Sequence, residues 1–193
     1  MVMERIPIEE LRQRVLRKFE RSGARHLILT GSIGIGKSTL LRRIQNDLKS
    51  YSGIRTWLDF DPIHSTRSIK LQEIGGDEIY TAASWDGQKM VEEDHFFETK
   101  GVELLEKHQK LGATIFLFDE IGRVEKKSPE FLARLRTLLD TKIFYGVKKK
   151  EESAFDELSI GREDFFLLDL DDFYGEIPSE ELKESRRNGR FAK

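Results

Sequence analysis

The chain has no cysteine among its 193 residues. That excludes a disulfide framework and any metal site built on thiolates. Proline is scarce, at 4 residues, and no internal repeat or low-complexity linker divides the chain. Net charge is small too, at −2, so no global field draws the protein to nucleic acid or to a membrane surface. No apolar run approaches membrane-spanning length, and the opening segment MVMERIPIEELRQRVLRKFERSG is too charged for a signal peptide. The expectation is a cytoplasmic protein with neither nucleic acid nor membrane as partner.

What is present is a charge-rich chain with a core. Hydrophobic residues make up 38% and charged residues 35%, a balance that suits one domain of ordinary size. Ile8, Leu11, Val15, Leu16 and Phe19 recur at helical spacing, which predicts a helix over 8–22 with Pro7 in its first turn and Gly23 at its stop. HLILT (26–30) reads as a buried strand. KSTLLRRIQNDLKSY (37–51) reads as a helix with Leu40, Leu41, Ile44 and Leu48 inward. Residues 53–85 read as short antiparallel strands turning at Gly75–Gly76. A helix is predicted over 98–111 with Val102, Leu105 and Leu111 inward, and ATIFLF (113–118) is a strand. SPEFLARLRTLLDT is a helix with Ser128 as N-cap, Pro129 at its first position and Glu130 at its positive end. KIFYGV (142–147) and DFFLLDL (164–170) supply two more strands. The acidic-then-basic stretch from Asp171 reads as a partly disordered tail.

Strand and helix alternate along most of the length. The expected fold is therefore α/β: a mainly parallel sheet with helices on both faces and an antiparallel insertion around 53–85. Three segments follow: a helical extension (1–24), the main domain (25–172) and a charged tail (173–193).

The densest signal is GSIGIGKSTL. Gly31, Gly36, Lys37 and Ser38 match G-x-x-x-x-G-K-[ST], the P-loop pattern, between a predicted strand and a predicted helix. Its glycines let successive N–H groups point into one concavity, and the following helix aims its positive end there. Gly31, Ser32, Ile33, Gly34, Ile35, Gly36, Lys37, Ser38 and Thr39 are thus candidate nucleotide contacts. Lys37 reaches the β- and γ-phosphates, Ser38 offers a hydroxyl to Mg²⁺, and Thr39 lies near the α-phosphate. A Mg²⁺ site also needs a carboxylate at the end of a buried strand. In TIFLFDE, Asp119 takes that place, and Glu120 is positioned to deprotonate water.

LILTGSIGIGKSTLL followed by FLFDEIGRVEKKSPEF resembles the small P-loop nucleoside-triphosphatases of the thermophilic, or cancer-related, type. The resemblance is carried by the P-loop, then Asp119, Glu120, Ile121 and Gly122, then Val124–Glu125, Ser128 and Phe131, and it spreads over residues 26–170. It implies a RecA-like sheet and slow, Mg²⁺-dependent hydrolysis of ATP, GTP and other nucleoside triphosphates. The chain departs from the family in several places. The N-terminal helix precedes the usual start, Arg67 is not followed by Gly-Phe, Arg123 stands where Lys is common, and Val124 where Met is usual.

Arg123, three residues after Glu120, is the candidate for neutralising transition-state charge, with Arg67 behind it. The four histidines lack metal-ligand spacing. VKKKEE (147–152) reads as a solvated loop, with contact to phosphate or nucleic acid as the alternative. Trp57, Trp85, Phe96 and Phe97 are core or lid aromatics, or stack on a base. No Asn-Lys-x-Asp segment occurs, so broad base preference is expected. Two alternatives to hydrolysis stay open: a small-molecule or nucleotide kinase, and a nucleotide-dependent adaptor that docks a protein partner through its N-terminal helix or C-terminal tail.

Overall fold

The computed structural model describes residues 6–151 and 153–177. Most of the predicted tail, 178–193, and the first five residues of the predicted extension lie outside the described residues. Helix α1 (Ile8–Ser22) is followed by β1 (His26–Thr30), α2 (Lys37–Gln45), β2 (Tyr51–Asp61), β3 (Thr66–Glu73), β4 (Ile79–Trp85) and β5 (Met90–Glu92). After a π-helical turn at Phe97–Gly101 come α3 (Val102–Lys110), β6 (Ile115–Ile121), α4 (Pro129–Thr141), β7 (Ile143–Lys148), α5 (Ala154–Leu158), β8 (Phe165–Asp169) and α6 (Leu170–Gly175).

All eight strands form one sheet in the order β5-β4-β3-β2-β6-β7-β1-β8. The five strands from β2 to β8 in that order are parallel, and β3 to β5 extend the sheet as an antiparallel wing. A strand buried on both faces reads as an unbroken apolar run whose side chains alternate between two cores. Leu27 and Leu29 of β1 join Leu117 and Val147 in a core with α1, α2 and α6. Ile28, Phe116, Phe118 and Phe144 enter the opposite core, with α3, α4 and α5. The α4 side of that core is aromatic: the Phe131 ring lies 5.1 Å from Phe97 and 6.3 Å from Phe118. Truncating a phenylalanine buried in this way costs about 3–5 kcal/mol.

Helix α1 begins after Pro7, which sits at the cap position rather than in the first turn, and ends at Gly23. Helix α4 has the cap read from sequence: the Ser128 Oγ accepts from the Phe131 N–H, and Pro129 opens the helix. Other expectations need correction. Helix α2 stops at Gln45, short of the predicted end, although Leu48 still packs on its core. Leu111 is 41% exposed, because α3 has ended and the chain there is extended; Leu104 and His108 face inward instead. The antiparallel wing runs beyond Trp85, to Glu92. Its first strand is also not purely antiparallel: Tyr51–Arg55 pair in parallel with β6, while Ile54–Asp61 pair with β3. Gly53 permits that close pairing, since a Cβ there would lie 2.2 Å from the Leu117 carbonyl oxygen.

Candidate functional site

Parallel sheets leave a crevice beyond the carboxyl ends of their strands, and the glycine loop, Asp119–Glu120, Lys149–Lys150 and Asp171 gather there. β1 delivers the chain into the glycine loop at Thr30. Gly31 and Gly36 adopt φ of +135° and +111°, backbone that L side chains rarely take. Gly36 starts α2 with no side-chain cap, so the positive end of the helix opens into the loop. The Lys37 side chain is buried and curls back, donating to the carbonyl oxygens of Gly31 at 2.8 Å and Ser32 at 3.1 Å. Ile35 anchors the loop in the core, whereas Ser32, Ile33, Gly34 and Thr39 are exposed.

The next residue joins loop to strand. The Ser38 hydroxyl donates to Asp119 Oδ1 at 2.7 Å. Burial pushes the Asp119 carboxyl above the usual carboxylate range, against the Ser38 hydrogen bond and the charges of Arg42, Arg55 and Lys37. Glu120 is likewise raised by burial, opposed by Lys149 and Lys37. Its carboxylate stands 3.8 Å from the Lys149 ammonium, and its carbonyl oxygen accepts from the Thr56 hydroxyl at 2.5 Å. One residue pair thus offers a carboxylate to Ser38 and a second, proton-hungry carboxylate beside a lysine. The following turn is pinned by Glu125, which is buried and accepts from the Gly122 N–H at 3.1 Å. Burial lifts the Glu125 carboxyl to about 7.

Arg123 follows Glu120 but projects outward: its side chain is 63% exposed and 3.9 Å from Glu151. Arg67 lies across a cleft from it. That cleft, about 540 Å³, also has Glu120 in its wall. Neither arginine contacts the glycine loop through a hydrogen bond among the described residues. Trp57 lies over the Arg55 guanidinium, Trp85 faces the cleft, and Phe96 and Phe97 are core.

Sequence reasoning did not place Asp169 or Asp171 in the site, and read Lys149 and Lys150 as solvated first and phosphate-facing second. Asp171 accepts from both the N–H and the hydroxyl of Ser32, each at 2.8 Å. Lys150 donates to Asp171 at 2.9 Å and stands 3.0 Å from Asp169, and these bonds hold the Asp171 carboxyl below its ordinary range. The supposed solvated loop (Lys149, Lys150) and the supposed start of a disordered tail (Asp171) are therefore tied to the crevice. The signal available was positional: Lys149 and Lys150 directly follow an apolar strand of a parallel sheet.

The histidines are structural or exposed, and no cluster of three or more histidine or carboxylate side chains forms a metal site among the described residues. His26 is buried, accepts from the Phe144 N–H at 3.0 Å through Nδ1, and faces Asp164 at 3.1 Å through Nε2. Burial lowers it to about 4.

The crystal structure of THEP1 from the hyperthermophile Aquifex aeolicus is similar to this chain, with a TM-score of 0.57. The match spans 80% of this chain and 98% of that one, at 20% identity. The chain has the P-loop nucleoside-triphosphatase fold. The glycine loop, Asp119 and Glu120 occupy the carboxyl edge of its parallel strands. No protein-family model and no curated protein sequence matches the chain. Among the described residues no helix is long and apolar enough to cross a membrane.

Proposed function

We propose that the protein hydrolyses nucleoside triphosphates to the diphosphate and phosphate, with Mg²⁺ and with broad base preference. The observation that carries this reading is the hydrogen bond between Ser38 and Asp119, with Glu120 next in the chain. A loop built to bind phosphate and a strand built to bind cations meet at 2.7 Å, and the neighbouring residue is a half-buried base.

The donors fit Mg²⁺. A hydroxyl and a carboxylate are hard oxygen ligands, and a buried carboxylate with a raised proton affinity gains from a cation beside it. When bound, the ion neutralises charge on the phosphoryl oxygens. The chain does the rest. Loop amides and Lys37 bind the polyphosphate, with Lys37 exchanging its two carbonyl partners for phosphate oxygens. Glu120 takes a proton from water as that water's oxygen bonds to the γ-phosphorus and the bond to the β-phosphate oxygen breaks. Lys149 orients Glu120 and faces the same end of the phosphate chain. Arg123 supplies the remaining positive charge only when it turns inward, which makes unaided turnover slow. Gly31 to Thr39 form the nucleotide contacts, and Ser38 and Asp119 the metal contacts.

A phosphate-release assay with ATP, GTP, CTP and UTP, with and without Mg²⁺, tests the proposal. The expected result is release from all four, abolished by chelation, with no acceptor added. Release that requires an acceptor would convert the reading to a kinase. Tight binding without release would convert it to an adaptor.

A further inference from the structure

The cleft beyond Glu120 shares Glu120, Arg123 and Lys149 with the proposed reaction, but most of its lining takes no part in that reaction. Its floor is the outer half of the antiparallel wing. Leu58 pairs with Ile69, Ile69 with Ala83, and Trp85 with Met90, so Leu58, Ile69, Trp85 and Met90 share one face of the sheet. This floor is open: Leu58 is 59% and Trp85 39% exposed. Its rim is cationic, with Arg67, Lys89, Arg123, Lys127 and Lys149 all lining it. Among the described residues Arg67, Lys89 and Lys127 make no ion pair, and the partners of Arg123 and Lys149 stand off at 3.9 and 3.8 Å. The acids in the lining are Glu120 and Glu125, and Glu125 is already bonded to the Gly122 N–H; outside the lining, Asp86 faces Lys89 and Glu151 faces Arg123. A chain of net charge −2 has therefore gathered five cations, three of them without an ion pair among the described residues, around Trp57 and the exposed Trp85.

We propose that this cleft is a second binding site, for a nucleoside phosphate, held with its base against Trp85 and its phosphate among Lys89, Lys127 and Arg67. An indole face accepts any base by stacking, and unpaired lysines and arginines bind phosphate with release of counterions. The volume of about 540 Å³ suits one nucleotide. The glycine loop contributes nothing to this wall, so the site adjoins the proposed triphosphate site, sharing Glu120, Arg123 and Lys149 with it but none of residues 31–39. The ligand is either a free mononucleotide or one unit of a single strand.

The test uses the full chain carrying Trp57→Phe, which leaves Trp85 as its one tryptophan and keeps an aromatic ring at 57, itself part of the cleft wall. It is run with and without Lys37→Ala to disable the glycine loop, and calorimetry is repeated with Trp57 intact. AMP and a single-stranded thymidine decanucleotide are titrated while Trp85 fluorescence is followed, and calorimetry is run in parallel. The expected result is saturable quenching that persists in Lys37→Ala and weakens steeply with salt. By calorimetry the affinity falls roughly tenfold in Trp85→Ala and at least tenfold in the Lys89→Glu/Lys127→Glu double variant. Circular dichroism and melting check that each variant is folded, and the paired lysine variant keeps the test open if Trp85→Ala is not. Saturation by AMP identifies a free nucleotide as ligand; saturation by the oligonucleotide alone identifies a strand. No quenching by either probe overturns the proposal, as does binding that survives both sets of variants. Equal binding of a polyglutamate peptide overturns it too, by reducing the cleft to bare charge. Because the titrations are repeated in Lys37→Ala, their outcome is independent of whether the hydrolysis reading stands.

Discussion

Replacing Glu125 with glutamine removes one buried charge without removing its hydrogen bond. Glu125 is 2% exposed and its Oε2 accepts from the Gly122 N–H at 3.1 Å, a bond that a glutamine carbonyl also accepts. Burial lifts the carboxyl from 4.5 to about 7, with Glu120 adding to the rise and Lys149 opposing it. Between those two pH values the folded chain holds a proton that the unfolded chain has released. Stability therefore falls as pH rises from about 4.5 to 7, and the whole cost is present above 7. A displacement of about 2.5 pH units corresponds to roughly 3 kcal/mol.

Glu125→Gln has no such dependence. Its stability relative to wild type should be near zero at pH 5 and about 3 kcal/mol higher at pH 8.5. For a chain of this size that is a rise in Tm of roughly 6–12 °C. Urea unfolding and thermal melts at the two pH values measure it. The buried histidines titrate in both proteins and cancel in the difference. A gap that is the same at both pH values would refute the reasoning, since it would show that the carboxyl ionises in the fold as easily as in the unfolded chain.

Other expectations follow from the same structure. Glu120→Gln should bind triphosphate with unchanged affinity yet release phosphate about 10²–10⁴-fold more slowly; wild-type turnover would remove Glu120 from the reaction. Lys37→Ala should lose most of its triphosphate affinity by calorimetry, since the loop loses its one cation; unchanged affinity would exclude the loop as the phosphate site. His26 and His108 are both buried and lowered from 6.5 to about 4. The unfolded chain therefore takes up protons that the fold refuses, and stability should drop by roughly 3 kcal/mol per histidine as pH falls from 6.5 to 4. Urea titrations in the Glu125→Gln background, where the opposing carboxyl is absent, should show that slope; a flat profile would contradict it.

The parts of the fold legible in the sequence are those whose signals are local. HLILT is fully buried as its composition demands, the Ser128 cap is made by the residue that requires it, and the glycine loop is bounded by the strand and helix its pattern calls for. What could not be read depends on partners distant in the chain. β2 changes from parallel to antiparallel pairing along its length because Gly53 lets β6 approach and the turn at 62–65 folds β3 back. Leu111 matched the helical period, yet α3 ends one residue earlier and leaves it outside. Asp171 looked like the start of an acidic tail, and only the parallel pairing of β8 with β1 carries it to Ser32. Charge in a sequence announces itself, but not whom it faces.

The sheet order explains why Lys149 and Glu120 stand together. β7 lies between β1 and β6, so the strand leading to the glycine loop and the strand ending in Asp119 are about 10 Å apart, two strand spacings. Helix α2 crosses that gap: its Leu40, Leu41 and Ile44 share a core with Leu117 of β6 and Val147 of β7, and its first turn brings Ser38 to Asp119. The loop's concavity then lies over the end of the intervening strand. On the proposed reading, whatever follows β7 faces the phosphates, and the sequence places Lys149 and Lys150 there. Lys150 is taken up by Asp169 and Asp171, which tie it to the loop through Ser32. Lys149, held at 3.8 Å from Glu120 by charge alone, would in the proposed reaction move between the carboxylate and a phosphoryl oxygen as charge shifts from one to the other.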